Sequence, residues 1–254
     1  MDFTEFHNWI YREFNINLNA YKPEQLNRRI GSLMSRIGVK SLDDYKRLLL
    51  SDDEERQRFL DFITINVTEF FRNPELFKEL EKTLKNYILT NNKLKIWSAA
   101  CSIGCEPYSI AMMLNEINPA GRNNIIATDI DSTILAKAKL GEYVQGEVKN
   151  ISEDYKRKYF KILKDKYIID SKIKSIVTFK KHDLILGNYE KDFDLIVCRN
   201  VIIYFKNDVK KEIFKKFSNS LKSGGLLFVG ATESIYNYKE YGLEKVSTFI
   251  YKKV

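Results

Sequence analysis

Four short apolar runs in the last two thirds of the chain constrain its fold more than any other feature. They are "KLKIWSA" from Lys93, "NNIIATD" from Asn123, "FDLIVC" from Phe193 and "GLLFVGA" from Gly225, with helical patterns between them. Strands that alternate with helices build a parallel sheet covered on both faces, so the fold class is α/β. One interval interrupts the alternation. After Gly141, β-like runs at about 159–163, 166–170 and 175–181 suggest a small antiparallel excursion, an insert at about 155–181. At the end, "LEKVSTFIYKK" alternates as an edge strand does and could close the sheet with an antiparallel hairpin.

Upstream of residue 93 the texture is helical. Pro23 suits the first turn of a helix whose Leu26, Ile30, Leu33, Met34 and Ile37 share one face. "SLDD" at Ser41 reads as a capping box. Another pattern runs from Asp52 through Phe59, Phe62 and Ile63 and stops at Asn66, and a further helix spans about Pro74 to Leu89. The expected division is a helical domain over 1–65, a linker segment with a helix over 66–92, and an α/β domain over 93–254.

Several functional classes are excluded by composition. With 44% hydrophobic and 30% charged residues the chain is globular. No apolar run is long enough to span a membrane, and "MDFTEFHNWI" lacks a signal-peptide pattern, so no membrane insertion is expected. Three cysteines make no disulfide framework or zinc pattern, and His7 and His182 have no ligand spacing. A cytoplasmic protein without a metal is expected. The net charge of +8 comes mostly from scattered lysines such as Lys210, Lys211, Lys215 and Lys216. Such lysines suit solvated helix faces better than a nucleic-acid surface.

The α/β half opens with a strand, the loop "ACSIGCEPYS" and a helix, the arrangement of a nucleotide crevice. The loop has Gly104 but no G-x-G-x-x-G, so a pyrophosphate would lack its close backbone approach. It carries Glu106 instead, which fits a ligand with positive charge. Asp129 lies 25 residues after Gly104, near the spacing for a carboxylate that takes ribose hydroxyls. Asp183 follows the next strand. These acids favour S-adenosylmethionine over NAD; the alternative is that each merely caps a strand end or turn. Arg199, Asn200 and Tyr204 follow "FDLIVC", where the reacting end of the cofactor would lie. No Asn/Asp-Pro-Pro-aromatic segment is present, and Cys198 sits inside an apolar strand, which argues against base methylation.

Together, "NVTEFFRNPELF", "WSAACSIGCEPYSIAMML", "ATDIDSTILAKA", "GEY", "FDLIVCRNVIIYF" and "LKSGGLLFVGATES" resemble the chemotaxis receptor methyltransferases of the CheR type over essentially the whole chain. The resemblance implies a small all-α N-terminal domain and a Rossmann-like S-adenosylmethionine-dependent domain with an inserted antiparallel β-subdomain. It implies methylation of glutamate side chains on methyl-accepting chemotaxis receptors, with S-adenosylhomocysteine as product and recruitment to membrane receptor arrays. Carried over by motif, the cofactor contacts would be Asn66, Thr68, Arg72, Glu106, Asp129, the Asp183–Leu184 pair and Arg199–Asn200. The "NVTEFFR" segment would form one wall of the site, with Phe70 and Phe71 either excluding water there or serving only as core.

Two departures from the family pattern stand out. The family commonly has a neutral Asn where Asp183 stands. The loop between the runs 159–163 and 166–170 is short and has no glycine, whereas members that tether a receptor C-terminal peptide carry a longer, glycine-containing loop. This chain therefore fits the tether-independent type.

Arg72 and Tyr204 are the candidates for positioning the acceptor carboxylate. Arg72 could instead hold an interdomain salt bridge, and Tyr204 could be half-buried packing. Receptor glutamates of that family stand on coiled-coil helices; the Pro23 helix carries Arg28, Arg29 and Arg36 off its apolar face, and a helical wheel places Arg29 and Arg36 on one flank. That flank could read an acidic receptor helix or simply be solvated. Two rival functions remain: a cofactor-binding sensor without turnover, and a methyltransferase acting on another protein or on RNA.

Overall fold

The computed structural model describes residues 1–89 and 92–254; residues 90 and 91, within the expected linker, lie outside the described residues. The chain divides into two compact units, Met1–Asn66 with Ile203–Glu212, and Val67–Ile202 with Ile213–Val254.

The first unit contains α1 (Phe3–Phe14), α2 (Pro23–Arg36), α3 (Leu42–Ser51) and α4 (Asp53–Thr64). Local chemistry starts each of them. Asp2 and Glu5 form a reciprocal capping box, and Asp52 accepts from the amides of Glu54 and Glu55. Pro23 stands in the first turn of α2. Ser41 caps α3 by accepting from the Asp44 amide, although no reciprocal bond completes the box expected there. Phe6, Trp9, Leu26, Ile30, Tyr45, Leu49 and Phe59 form the core. Ile37, expected on the apolar face of α2, is the C-cap and is exposed.

A late segment joins this unit. The main chain of Lys22 donates to the Tyr204 carbonyl at 2.9 Å, and that of Lys206 donates to the Ala20 carbonyl at 2.9 Å. Tyr21 and Phe205 form an antiparallel bridge, with rings edge to face at 4.9 Å.

The second unit follows the α/β plan. In chain order it holds α5 (Pro74–Ile88), β1 (Lys95–Ala99), α6 (Cys105–Ile117), β2 (Asn124–Asp129), α7 (Ser132–Leu140) and β3 (Glu142–Tyr143). Next come α8 (Glu153–Tyr159), β4 (Phe160–Leu163), β5 (Lys166–Ile169), α9 (Ser171–Lys174), β6 (Val177–Lys181) and β7 (Phe193–Cys198). The chain ends with α10 (Asn207–Ser220), whose first turns belong to the helical unit, then β8 (Leu221–Val229), β9 (Leu243–Lys245) and β10 (Ile250–Lys253).

The main sheet has the order β6-β2-β1-β7-β8-β10-β9. Its first five strands are parallel, and the terminal hairpin is antiparallel. Central strands covered on both faces explain the continuous apolar runs, since every residue of β7 is buried. Asp194, the charged residue within β7, pairs with the Lys222 ammonium at 2.9 Å and accepts from the Lys95 amide at 2.7 Å.

The expected excursion needs correcting. The small sheet has the order β3-β5-β4, so its third strand is the Glu142–Tyr143 pair. The run at 175–181 is instead β6, an edge of the main sheet parallel to β2. Among the described residues, no helix is long and apolar enough to cross a membrane.

Candidate functional site

In open α/β sheets, ligands bind beyond the carboxyl ends of the strands, where the strand order reverses. Here the reversal lies between β1 and β7, because the chain builds outward through β2 and β6 before returning to β7. Most of the residues expected in the sheet unit stand at those ends. Asp129 is the last residue of β2, Arg199 and Asn200 follow β7 directly, Asp183 follows β6 by two residues, and Glu106 is in the first turn of α6.

The loop from β1 to α6 is tightly wound. Ala100, Ser102 and Gly104 all have positive φ, +63°, +51° and +88°. A Cβ at Gly104 would also lie 3.1 to 3.2 Å from Ala138, Phe179 and Tyr108, so glycine is required for both conformation and space. The winding brings the Ser102 amide to the Asp129 carboxylate at 2.9 Å, while the Asp131 amide reaches the same carboxylate at 3.1 Å. Burial pushes Asp129 above the usual carboxylate range against these two bonds.

Glu106 accepts from the Ser98 hydroxyl at 2.8 Å and lies 3.7 Å from the Arg199 guanidinium. Its carboxyl is also raised, by burial first, with Arg199, Ser98 and Arg72 acting in the opposite direction. Arg199 is nearly withdrawn from solvent. Its Nη2 donates to the Arg72 carbonyl and to Asn73 Oδ1, both at 2.9 Å, and its guanidinium stacks over Phe77 and Phe228. Burial lowers the Arg199 pKa, with Glu106 and Glu233 opposing.

The "NVTEFFR" segment is pinned to this unit from Glu69 onward. The Phe70 amide donates to the Glu147 carbonyl and the Phe71 amide to the Ser109 hydroxyl, each at 2.9 Å. Phe70 is fully buried, with its ring edge to face against Tyr143 and Phe160. Phe71 is partly buried against Phe77 and Tyr155. Of the two readings for these aromatics, Phe70 takes the core one. The Arg72 guanidinium donates to the Val67 carbonyl at 2.8 Å.

The remaining expected residues have contacts of their own. Asp183 Oδ1 accepts from the amides of Ile185 and Leu186 at 2.7 and 3.2 Å, and the neighbouring Leu184 is buried. Thr68, within the "NVTEFFR" segment, is partly buried. Asn66 and Tyr204 belong to the helical unit, where Asn66 donates to the Thr64 hydroxyl at 2.9 Å. Arg29 and Arg36 do share a flank, and both stack over the Phe62 ring, at 4.5 and 5.5 Å. Arg29 also donates to the Phe62 carbonyl, whereas Arg28 and Arg36 are exposed.

Three participants escaped the sequence reading: Ser98, Ser102 and Glu233. Ser98 lies inside an apolar strand and Ser102 within the loop, with no pattern marking either. Glu233 follows β8 by four residues, so counting acids beyond every strand end would have found it.

The site fits a cationic nucleoside ligand. Two carboxylates with raised pKa values, Asp129 buried and Glu106 largely so, gain by meeting positive charge, and the buried Ser102 hydroxyl has no hydrogen-bond partner among the described residues.

Comparisons with known proteins agree. Residues 66–250 match the "CheR methyltransferase, SAM binding domain" and residues 1–64 the "CheR methyltransferase, all-alpha domain". A chemotaxis protein methyltransferase of Listeria monocytogenes is 39% identical over 99% of this chain and 97% of its own length. The chemotaxis protein methyltransferase of Borreliella burgdorferi is 36% identical, covering 96% of this chain and 91% of its own. That of Escherichia coli K12 is 33% identical, covering 89% and 81%. The protein therefore belongs to the CheR family of S-adenosylmethionine-dependent methyltransferases.

Proposed function

We propose that this chain transfers the methyl group of S-adenosylmethionine to glutamate side chains of chemotaxis receptors, forming methyl esters. The observation that carries the reading is the largely buried Glu106 carboxylate, raised by desolvation and set 3.7 Å from Arg199 at the strand ends. Glu106 would take the cofactor's ammonium and Asp129 its ribose hydroxyls. The Asp183–Leu184 turn, Thr68 and the Arg199–Asn200 turn would complete the cradle. The names of the relatives, chemotaxis protein methyltransferases, support a receptor as acceptor.

When bound, the cofactor supplies a methyl group on a sulfonium, a good leaving group. A glutamate acceptor, with a pKa of about 4.3, is already ionised at neutral pH and needs no base. The protein's task is to align the carboxylate and exclude water. Orientation of this kind can contribute about 7–11 kcal/mol. Arg72 is the orienting cation in this reading. Its guanidinium is held by a main-chain carbonyl, and no ion pair to it is present among the described residues, so it keeps donors for a carboxylate. Asn66 as a cofactor contact and Tyr204 as a catalytic hydroxyl rest on the resemblance alone, and Asn66→Ala and Tyr204→Phe variants test them.

On the helical unit, the exposed Arg28 and Arg36 are the better candidates for reading an acidic receptor helix, because Arg29 is partly buried and its guanidinium donates to the Phe62 carbonyl. The β4–β5 connection is a two-residue turn, Lys164 and Asp165, which supports a tether-independent enzyme. Recruitment would then take place at the cytoplasmic helices of membrane receptors.

The test uses purified protein, tritiated S-adenosylmethionine and membranes carrying a chemotaxis receptor, with release of alkali-labile volatile label as readout. The wild type should label the receptor, and Arg72→Ala should not, while its melting stays within a few degrees of wild type. Alkali-stable label would point to another acceptor atom. Cofactor binding without any label would point to a sensor.

A further inference from the structure

The turn after β7 carries Arg199 and Asn200, yet what holds it lies on a different strand end. Asn200 has φ of +62°, a left-handed conformation that costs an L-residue free energy unless its surroundings impose it. The Glu233 carboxylate supplies that constraint. Its Oε2 accepts from the Asn200 amide at 2.6 Å and its Oε1 from the Val201 amide at 2.9 Å, forming a fork across two successive N–H groups. Oε2 also accepts from the Gly230 amide at 3.0 Å, tying the β7 turn to the end of β8.

Residue 230 has to be glycine for this to work. A Cβ there would stand 2.3 Å from Glu233 Oε2 and 3.1 Å from the Asn200 nitrogen. Glu233 is itself buried, 5% exposed, in a part of the fold where carboxylates rarely go unless their bonds require it.

We propose that Glu233 is a positioning residue of the cofactor site: by clamping the Asn200–Val201 main chain it sets the direction in which Arg199 leaves β7. That direction takes the Arg199 guanidinium to the Arg72 carbonyl, Asn73 and Glu106. The carboxylate has a second effect, since its negative charge, with that of Glu106, offsets the buried Arg199 cation. The inference rests on the site reading above, and extends it to a residue that need not touch the cofactor.

A glutamine at 233 keeps the volume but replaces one acceptor oxygen with an NH2 donor facing main-chain N–H groups. At least one buried donor then loses its partner, and the turn must move. The matched control is Asp194→Asn. Asp194 is also buried and accepts from a main-chain amide, at the start of β7, the end opposite the turn that Glu233 holds.

S-adenosylmethionine binding would be measured by calorimetry for wild type, Glu233→Gln and Asp194→Asn, with thermal melting of each. We expect both variants to lose stability and only Glu233→Gln to bind at least about tenfold more weakly. A double variant with Arg199→Lys should bind more tightly than the product of the single losses predicts, because both act through one turn. Should the glutamine variant not fold, Glu233→Asp, which keeps the charge but shortens the reach, carries the same comparison with Asp194→Asn. Wild-type affinity in a folded Glu233 variant, or equal loss in Asp194→Asn, would overturn the proposal. Wild-type protein that binds no S-adenosylmethionine would instead overturn the site reading on which it stands.

Discussion

Arg199 and Glu106 face each other across the ends of β7 and α6 with guanidinium and carboxylate 3.7 Å apart, both largely out of solvent. This is too long for a strong hydrogen bond, and Arg199 Nη2 donates to Arg72 and Asn73 instead. Glu106 thus has a nearby charge without a saturating partner, which leaves it able to hold a ligand cation.

A pH dependence follows. Burial raises Glu106, so at pH values between the unfolded and the folded pKa the ligand-free protein holds a proton that the unfolded chain has lost. That contribution to stability is fully present below the unfolded value, about 4.3, and is lost as pH rises through the raised folded value. Asp129 shifts with the same sign. A cationic cofactor needs the ionised forms. S-adenosylmethionine binding should therefore release protons, and its affinity should weaken as pH falls through the raised values. Calorimetry in buffers of different ionisation enthalpy measures the release, which Glu106→Gln should reduce. Affinity independent of pH in the wild type would count against Glu106 as the ammonium contact.

Asp183 serves its own turn. An Asn at this position has the same Oδ1 for the amides of Ile185 and Leu186, so Asp183→Asn should change stability by less than about 0.5 kcal/mol. Asp183→Ala, which loses both bonds, should cost about 1 kcal/mol. Urea titrations separate the two. A large loss of cofactor affinity in the Asn variant alone would show that the charge, rather than the turn, is what the ligand uses.

The two phenylalanines of "NVTEFFR" should rank differently. Phe70 is fully buried among Tyr143 and Phe160, and Phe70→Ala should cost about 3–5 kcal/mol. Phe71 is only partly buried, so Phe71→Ala should cost clearly less. Equal midpoints in denaturant titrations would contradict the packing described.

All three thiols should be silent in the native state. Cys101, Cys105 and Cys198 are buried, and desolvation pushes each thiol well above its ordinary pKa. A disulfide-exchange reagent at neutral pH should find none of them on the time scale of a free cysteine, and all three after denaturation. Rapid modification of a native thiol would reveal an opening of the β1–α6 loop or of β7.

The features legible in the sequence were those written locally. The apolar runs of β1, β2, β7 and β8 announce themselves because both faces of the central sheet are covered. Glu106, Asp129 and Arg199 follow from the rule that ligands meet strand ends. Features decided by distant pairing were not legible. "VTFKK" would read the same in a hairpin or in an edge strand, and only its parallel partnership with β2 makes it part of the main sheet. Glu233 carries no local pattern because its partners include main-chain amides more than thirty residues away, those of Asn200 and Val201. The commitment of Arg29 to Phe62 likewise depends on where α4 comes to lie.

The strand-like pairing of Tyr204 and Lys206 with Ala20 and Lys22 bears on how the protein can be taken apart. The helical unit is sewn from two stretches of gene, one at the start and one embedded between β7 and β8. Cutting after residue 66 would not release a cassette. It would strip Ala20 and Lys22 from the backbone groups they satisfy and leave the embedded stretch without its partner. A crossover at that point between two relatives would join stretches of different ancestry within a single compact unit. Exchange between relatives should therefore be tolerated only when residues 203–212 travel with the first 66.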